Sequence, residues 1–410
     1  MNDDTKTHLV QPFRALRPAP RHAAEVAAPP YDVLNSDEAR ALAAGKPNSF
    51  LHISKPEIDL PEDTDAHAPE VYAKGAENMA RMISDGVLRR DERPSYYIYR
   101  VETHGHVQTG LAAGGSVAAY EANLIRKHEL TRPDKEDDRV AQIEAVGAHT
   151  GPVFTVHKPD AALAKIMKRG AAATPDYSAQ LGDVRHTVWT IDQRADIAGV
   201  TEAFDRLGVI YIADGHHRSA AAGRVAAARP GEPDQHFLIV SFPAEDVQIL
   251  DYNRVVRDLG GMTPAEFLGK LGDAFDVTAS QAPAKPSQPS SFGLYLDGGW
   301  HQLRLKSPPA ADAAPVERLD VSILTAEILA PLLGIGDPRT DPRIDFIGGS
   351  RGMAGLEKRV DSEGWAAAFA LYPTAMDDLI AVADASQIMP PKTTWFEPKL
   401  ADGMISLALD

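Results

Sequence analysis

The chain has 410 residues, 44% hydrophobic and 24% charged, with a formal net charge of −16 and no cysteine. That length supports two or three cores, and the composition is that of a soluble globular protein. The missing cysteines exclude disulfides, thiolate zinc sites and a cysteine nucleophile, and the acidic balance argues against general nucleic-acid binding, which draws on a basic face.

The start, "MNDDTKTHLVQPFRALRP", is polar and acidic and does not read as a signal peptide. There is no apolar run of about 18 residues, so no membrane span is expected, and a cytoplasmic location is. Residues 13–34 read as extended and broken by prolines. A helix is predicted from Ser36, taken as its N-cap, to Gly45, and a longer one over 69–90. "SYYIYRVE" and "GLAAGGSVAAY" read as strands, the second made of small residues. Pro133 breaks the charged stretch 121–149 into two pieces. "PVFTVH", "TVWTI" and "VIYIA" read as strands, with a helix at "GVTEAFDRLG" ahead of the last. "HFLIVSFP" and "VQILDYNRVVRDL" continue the strand pattern. A Pro/Ser-rich stretch, "TASQAPAKPSQPSSFGLYL" (278–296), is the best linker or long loop, with a hairpin behind it, "FGLYLDGGWHQLRL", turning at Asp297-Gly298. "DVSILTAEILAPLLG" reads as an amphipathic helix ending at Gly334. Alternating strands and helices predict an α/β or mixed α+β fold. The expected division is a core region over 1–258 and a C-terminal α+β region over 259–410.

One stretch concentrates polar chemistry where a strand becomes a helix: "VIYIADGHHRSAAAGRVAAAR", residues 209–229. The first N–H groups of a helix lack internal partners and carry partial positive charge, which makes an anion site. Gly215 lets backbone approach a ligand or take positive φ. Ser219 can cap the helix, and Arg218 can make a two-pronged phosphate contact. His216 and His217 can donate hydrogen bonds. Asp214 can fix a histidine tautomer or hold Mg²⁺ through water. The alanines that follow suit close packing on a sheet.

A second constellation is "RKHELTRPDKEDDR", 126–139. Glu129 is a candidate general base and His128 a candidate charge stabiliser, at a break made by Thr131, Arg132 and Pro133. Lys135 and Arg139 share a helix stripe and can converge on one anion. A third is "APPYDVLN", 28–35, where two prolines present Tyr31 and Asp32 at a fixed angle. A fourth is "IMPPKTTWFEPKL", 388–400. It reads as a packing strand with Trp395 and Phe396 in the core, or as a loop whose Lys392, Thr393, Thr394 and Lys399 close over a phosphate. No G-x-x-x-x-G-K-[ST] loop, G-x-G-x-x-G turn or G-x-S-x-G elbow occurs.

Taken together, "FRALRP", "PPYDVL", "NSFLHISKPEIDLP", "IRKHELTRPDKEDDR", "IADGHHRSAAA", "LYPT" and "MPPKTTWFEPKL" resemble a prokaryotic family of unknown function, number ten-fifteen. Its "DGHHR" segment is similar to the phosphate-binding segment of the ParB/sulfiredoxin fold. One branch of that fold contains kinases of free L-serine. The resemblance implies a ParB/sulfiredoxin-like core with an additional C-terminal part. It also implies a donor phosphate (ADP, ATP or pyrophosphate) held by Gly215, His216, His217 and Arg218, with Asp214 orienting a histidine or the Mg²⁺; Ser219, Arg132, Lys135 and Arg139 are further anion-contact candidates on chemistry alone. Mg²⁺ is expected, with Asp214 as its ligand. The catalytic candidates are Glu129, His128, Asp32 and His217. The partner is then a small-molecule substrate, with no nucleic acid and no membrane, and a homodimer is allowed. The expected activity is phosphotransfer to an alcohol. A phosphohydrolase using the same anion site, or a nucleotide-binding regulator of ParB type, is the alternative.

Overall fold

The computed structural model describes residues 8–103, 105–229 and 235–409. The fold is mixed α+β, as the alternation of strand and helix signals implies. It forms two compact units, Met1–Val247 with Pro398–Asp410, and Gln248–Glu397.

The first unit is built on a nine-stranded mixed sheet. Across it run Ile125–Arg126, Ile210–Asp214, Val153–His157, His236–Pro243, His106–Ser116, Tyr96–Thr103, Val184–Ile191 and Tyr177–Leu181, and Val10–Gln11 pairs beside His106–Ser116. The apolar runs read as strands fill the sheet's core: Tyr96, Ile98, Leu111, Ile212, Phe237 and Ile239 are buried against Phe204 of the helix Arg194–Leu207. The strand Ile210–Asp214 is antiparallel to Val153–His157, and its register shifts between Ile212 and Asp214. Such an irregularity re-aims the side chains at a strand end.

That strand leads through Gly215 into the helix His216–Ala227. Ala221, Ala222, Val225 and Ala226 are buried, as the alanine run predicts. Ile143 of the helix Pro133–Val146 packs on Ala221 and Val225. Small side chains at the crossing allow the two helices to approach closely. The loop preceding Pro133 thus reaches the start of the helix His216–Ala227, where His128 and Arg132 contact its first two residues.

Several boundaries differ from expectation. Asn35, not Ser36, caps the helix Ser36–Ala43; its side chain accepts from the Glu38 N–H in a capping box, while the Ser36 hydroxyl donates to Glu57. The strand read into "GLAAGGSVAAY" stops at Ser116, whose Oγ accepts from the Ala119 N–H and starts the short helix Val117–Glu121. The charged stretch does divide at Pro133, which opens the helix Pro133–Val146, as suits proline at a first helical position.

The second unit carries a six-stranded antiparallel sheet ordered Phe275–Ser280, Gly299–Leu305, Ser291–Leu296, Ala367–Leu371, Tyr252–Val256, Ile344–Gly348. The expected hairpin is present, with φ 50° at Asp297 and 74° at Gly298. Two positive φ values are what a type I′ turn requires. The Pro/Ser-rich stretch is a loop inside this unit, since the strands on both its sides pair with Gly299–Leu305. In the strand Trp395–Glu397, Phe396 is a core residue as the packing-strand reading expects, while Trp395 is half-buried. The segment read as one amphipathic helix is an α-helix, Asp320–Leu324, continued by a π-helical turn, Thr325–Leu329.

Residues 398–410 group with the first unit. Ser406–Ala408 pairs with both Ala15–Pro18 and Ala148–His149 in a four-stranded sheet, and Met404 and Ile405 are fully buried. Composition placed this segment with the C-terminal region, because pairing with strands hundreds of residues earlier leaves no local signal. Truncating Ile405 to Ala is expected to cost about 2–5 kcal/mol of stability. Urea unfolding followed by circular dichroism measures this; a loss below about 1 kcal/mol would show that the segment contributes little to the first unit.

Candidate functional site

The turn Asp214–Arg218 is organised by Gly215, whose φ of 97° lies where side chains rarely go. No side chain caps the helix that follows, and the first intrahelical bond runs from the Ser219 N–H to the Gly215 carbonyl. The N–H groups of His216, His217 and Arg218 therefore head the helix without intrahelical partners. Ser219 is buried, and its hydroxyl donates to the His216 carbonyl at 3.0 Å, so it braces the turn instead of capping it.

Arg218 folds back over this turn. Its side chain is 12% exposed, and one guanidinium nitrogen donates to the Pro152 carbonyl. Another lies 3.7 Å from Asp32, and the buried Nε has no partner. A Cβ at Gly215 would come within 3.1 Å of the guanidinium, and one at Gly151 within 3.3 Å of the Arg218 Cδ and of an Asp402 oxygen. A side chain at either glycine would thus press on Arg218 and make it give by a few tenths of an ångström. Burial works against its charge, but Asp32 and Asp214 hold its pKa above the ordinary value.

Both histidines face the loop before Pro133. His216 is buried; its Nε2 accepts from the His128 N–H at 3.5 Å and its Nδ1 faces Glu129 Oε2 at 3.8 Å. The two imidazoles meet edge to face, 4.5 Å between centroids. His217 Nε2 accepts from the Arg132 N–H at 3.1 Å. Acceptance at Nε2 leaves the proton of each neutral ring on Nδ1. Burial draws His128 down to about 4, partly opposed by a hydrogen bond to the Ile212 backbone. Burial, reinforced by the neighbouring His128, draws His216 well below its ordinary value.

Lys399 comes from the far end of the chain and donates to Asp214 at 2.9 Å. Burial pushes Asp214 upward, but the charges of Lys399 and Arg218 prevail and hold it below the usual carboxylate range. A cation bound at Asp214 would meet the Lys399 ammonium, so this carboxylate does not fit the expected Mg²⁺ ligand. Asp402 follows three residues later. One of its oxygens accepts from the Tyr31 N–H at 3.2 Å, and the other is buried without a partner. Burial pushes its pKa up to about 7, opposed by Arg218.

The structure thus brings together Asp32, His128, Glu129, Asp214, Gly215, His216, His217, Arg218 and Ser219. Arg132 joins through its backbone, while its side chain is 70% exposed and pairs with Asp134. Arg139 turns to Asp138 and stacks on Tyr31, 3.8 Å from the ring centroid. Lys135 is exposed and joins none of these contacts among the described residues. The convergence of Lys135 and Arg139 on one anion therefore finds no support in the contacts. Lys399 was visible only as a loop cation, and Asp402 not at all: in "LADGM" it has the look of an ordinary Asp-Gly turn.

The chain belongs to the family described as Protein of unknown function (DUF1015), whose model matches residues 10–322. No curated protein matches it. It is similar to a solved free serine kinase in complex with AMP at 12% identity, with a TM-score of 0.34 over 67% of this chain and 84% of that one. It is also similar to SbnI with a C-terminal truncation from Staphylococcus aureus (12% identity, TM-score 0.39, 75% and 89% covered). A conserved hypothetical protein from Pyrococcus furiosus gives 12% identity and a TM-score of 0.35, with 70% and 93% covered. No described helix is long and apolar enough to cross a membrane.

Asp402 has a raised pKa, so the folded state favours its protonated form. Its contribution to stability is whole below the ordinary value of 3.8 and is lost as pH rises to about 7. The melting temperature of Asp402→Asn relative to the parent should therefore climb from pH 4 to 7 and level off above. A difference that stays constant from pH 4 to 8 would contradict the assignment.

Proposed function

We propose that this protein is a small-molecule phosphotransferase that moves a phosphoryl group from a nucleotide or pyrophosphate donor to an alcohol. L-serine is the acceptor implied by the sequence resemblance. The observation that carries the reading is the uncapped helix start at His216, flanked by Arg218 and Lys399 and by two half-exposed carboxylates. Amide N–H groups, a buried guanidinium and an ammonium together suit phosphate oxygens.

An alcohol is a weak nucleophile at neutral pH and needs a base as its O–P bond forms. Glu129 and Asp32 are 39% and 40% exposed, so both are open to a ligand. Either can take the hydroxyl proton while the bond from phosphorus to the leaving phosphate oxygen breaks. Glu129 is taken as the base: it sits beside His216, which burial keeps neutral, while Asp32 pairs with Arg218. His217 and Arg218 hold transferring charge, and the pairing of His217 with the Arg132 N–H sets the imidazole's orientation.

The test is a thermal-shift screen with ADP, ATP, CTP and pyrophosphate, with and without L-serine, followed by product analysis. A donor at 100 times its Kd should stabilise the fold by about 2.7 kcal/mol. Arg218→Ala or Lys399→Ala should remove the shift, and His217→Ala should cost ~10²–10³ in turnover. O-phosphoserine formed only with donor and serine supports the proposal. Phosphate released without any acceptor would make the protein a hydrolase, and no shift with any donor would overturn the phosphate reading.

A further inference from the structure

The polar cluster beside the helix start has a property that phosphate binding does not use. His128, Glu129 and His216 each bring a ligand atom within 4.8 Å of the others. They come from two segments, the loop before Pro133 and the first residue of the helix His216–Ala227, so sequence spacing conceals the set.

His128 is 1% exposed and its Nδ1 has no hydrogen-bond partner. A buried nitrogen left without a partner loses free energy unless something unseen satisfies it. The ring's hydrogen bond to the Ile212 backbone then falls to Nε2. A histidine anchored through one nitrogen to a backbone carbonyl, with the other left bare, is the usual arrangement of a metal ligand. The 3.8 Å between His216 Nδ1 and Glu129 Oε2 is long for a hydrogen bond. It is near the about 3.4 Å that separates two donors on one ion, given bonds of about 2.1 Å at tetrahedral angles.

We propose that His128, Glu129 and His216 form a divalent transition-metal site, with two imidazoles and one carboxylate as ligands and the remaining positions open. Nitrogen donors favour an ion such as Zn²⁺ or Co²⁺ over Mg²⁺, which prefers oxygen. Binding moves the His216 proton from Nδ1 to Nε2, so the 3.5 Å contact from the His128 N–H to His216 Nε2, at the outer limit of a hydrogen bond, gives way. The ion would lie beside the anion-binding turn and face solvent through the half-exposed Glu129. The site stands on its own geometry, so it survives if phosphotransfer fails.

The experiment uses the full chain, stripped with a chelator and titrated with Co²⁺ alone, read by visible absorption and by metal content after dialysis. The expected result is one Co²⁺ per chain with ligand-field bands of a nitrogen-ligated ion. Glu129→Gln, at a half-exposed position that should not disturb folding, should weaken binding by at least about tenfold, since losing a ligand costs no less than losing an outer partner. Asp214→Asn should bind as the parent does. A parent chain that retains no Co²⁺, or Glu129→Gln that binds as tightly as the parent, would overturn the proposal. So would loss of binding in Asp214→Asn with retention in Glu129→Gln. Pyrophosphate binding to the stripped protein is measured separately, so the anion site and the metal site can fail independently.

Discussion

The guanidinium of Arg218 is a full charge held out of water, and the surrounding residues are arranged about that constraint. Removing such a group from solvent costs several kcal/mol unless partners replace its hydration. Here the replacement comes from the Pro152 carbonyl, from Asp32, and from the charges of Asp214 and Asp402. Gly151 and Gly215 make the passage wide enough. Each of these groups belongs to a different segment, so the charge ties the turn at 214–218 to the strand end at 152, the N-terminal loop at 32 and the C-terminal segment at 402. A substitution at any of them reaches the helix start through Arg218.

The same arrangement explains why part of the site was legible and part was not. The strand Ile210–Asp214 and the helix His216–Ala227 follow from a short apolar run, a glycine and an alanine-rich stretch, all local signals. The proximity of His128 and Glu129 to His216 depends on Ile143 packing against Ala221 and Val225, a contact between helices more than 70 residues apart. The chemistry of "RKHELTR" was readable, but its partner was not. Arg139 shows the reverse. Its helix position was read correctly, while its direction is set by Tyr31 and Asp138, and one of these lies a hundred residues upstream.

Lys399 and Asp402 mark the limit of sequence reading more sharply. Lys399 pairs with Asp214 across 185 positions. Asp402 is identified by what surrounds it: a buried oxygen with no partner and a pKa lifted toward neutrality. Neither property is carried by residue type or spacing. Both arise because the chain, after completing the second unit, returns to the first and inserts the strand Ser406–Ala408 between Ala15–Pro18 and Ala148–His149.

Charge balance then constrains what the site can accept. Lys399 is matched by Asp214, and Arg218 by Asp32, so each cation near the helix start already has a carboxylate. An incoming phosphate must compete with those carboxylates for the same donors, or the site must gain positive charge. The helix amides supply some, because they are uncapped and cost no rearrangement. A divalent ion on His128, Glu129 and His216 would add more and would also neutralise Glu129. It would then compete with the use of Glu129 as the base, leaving Asp32 for that task. The occupancy of the metal site therefore decides which of the two carboxylates is free to take a proton, and the phosphate and metal readings constrain each other through Glu129.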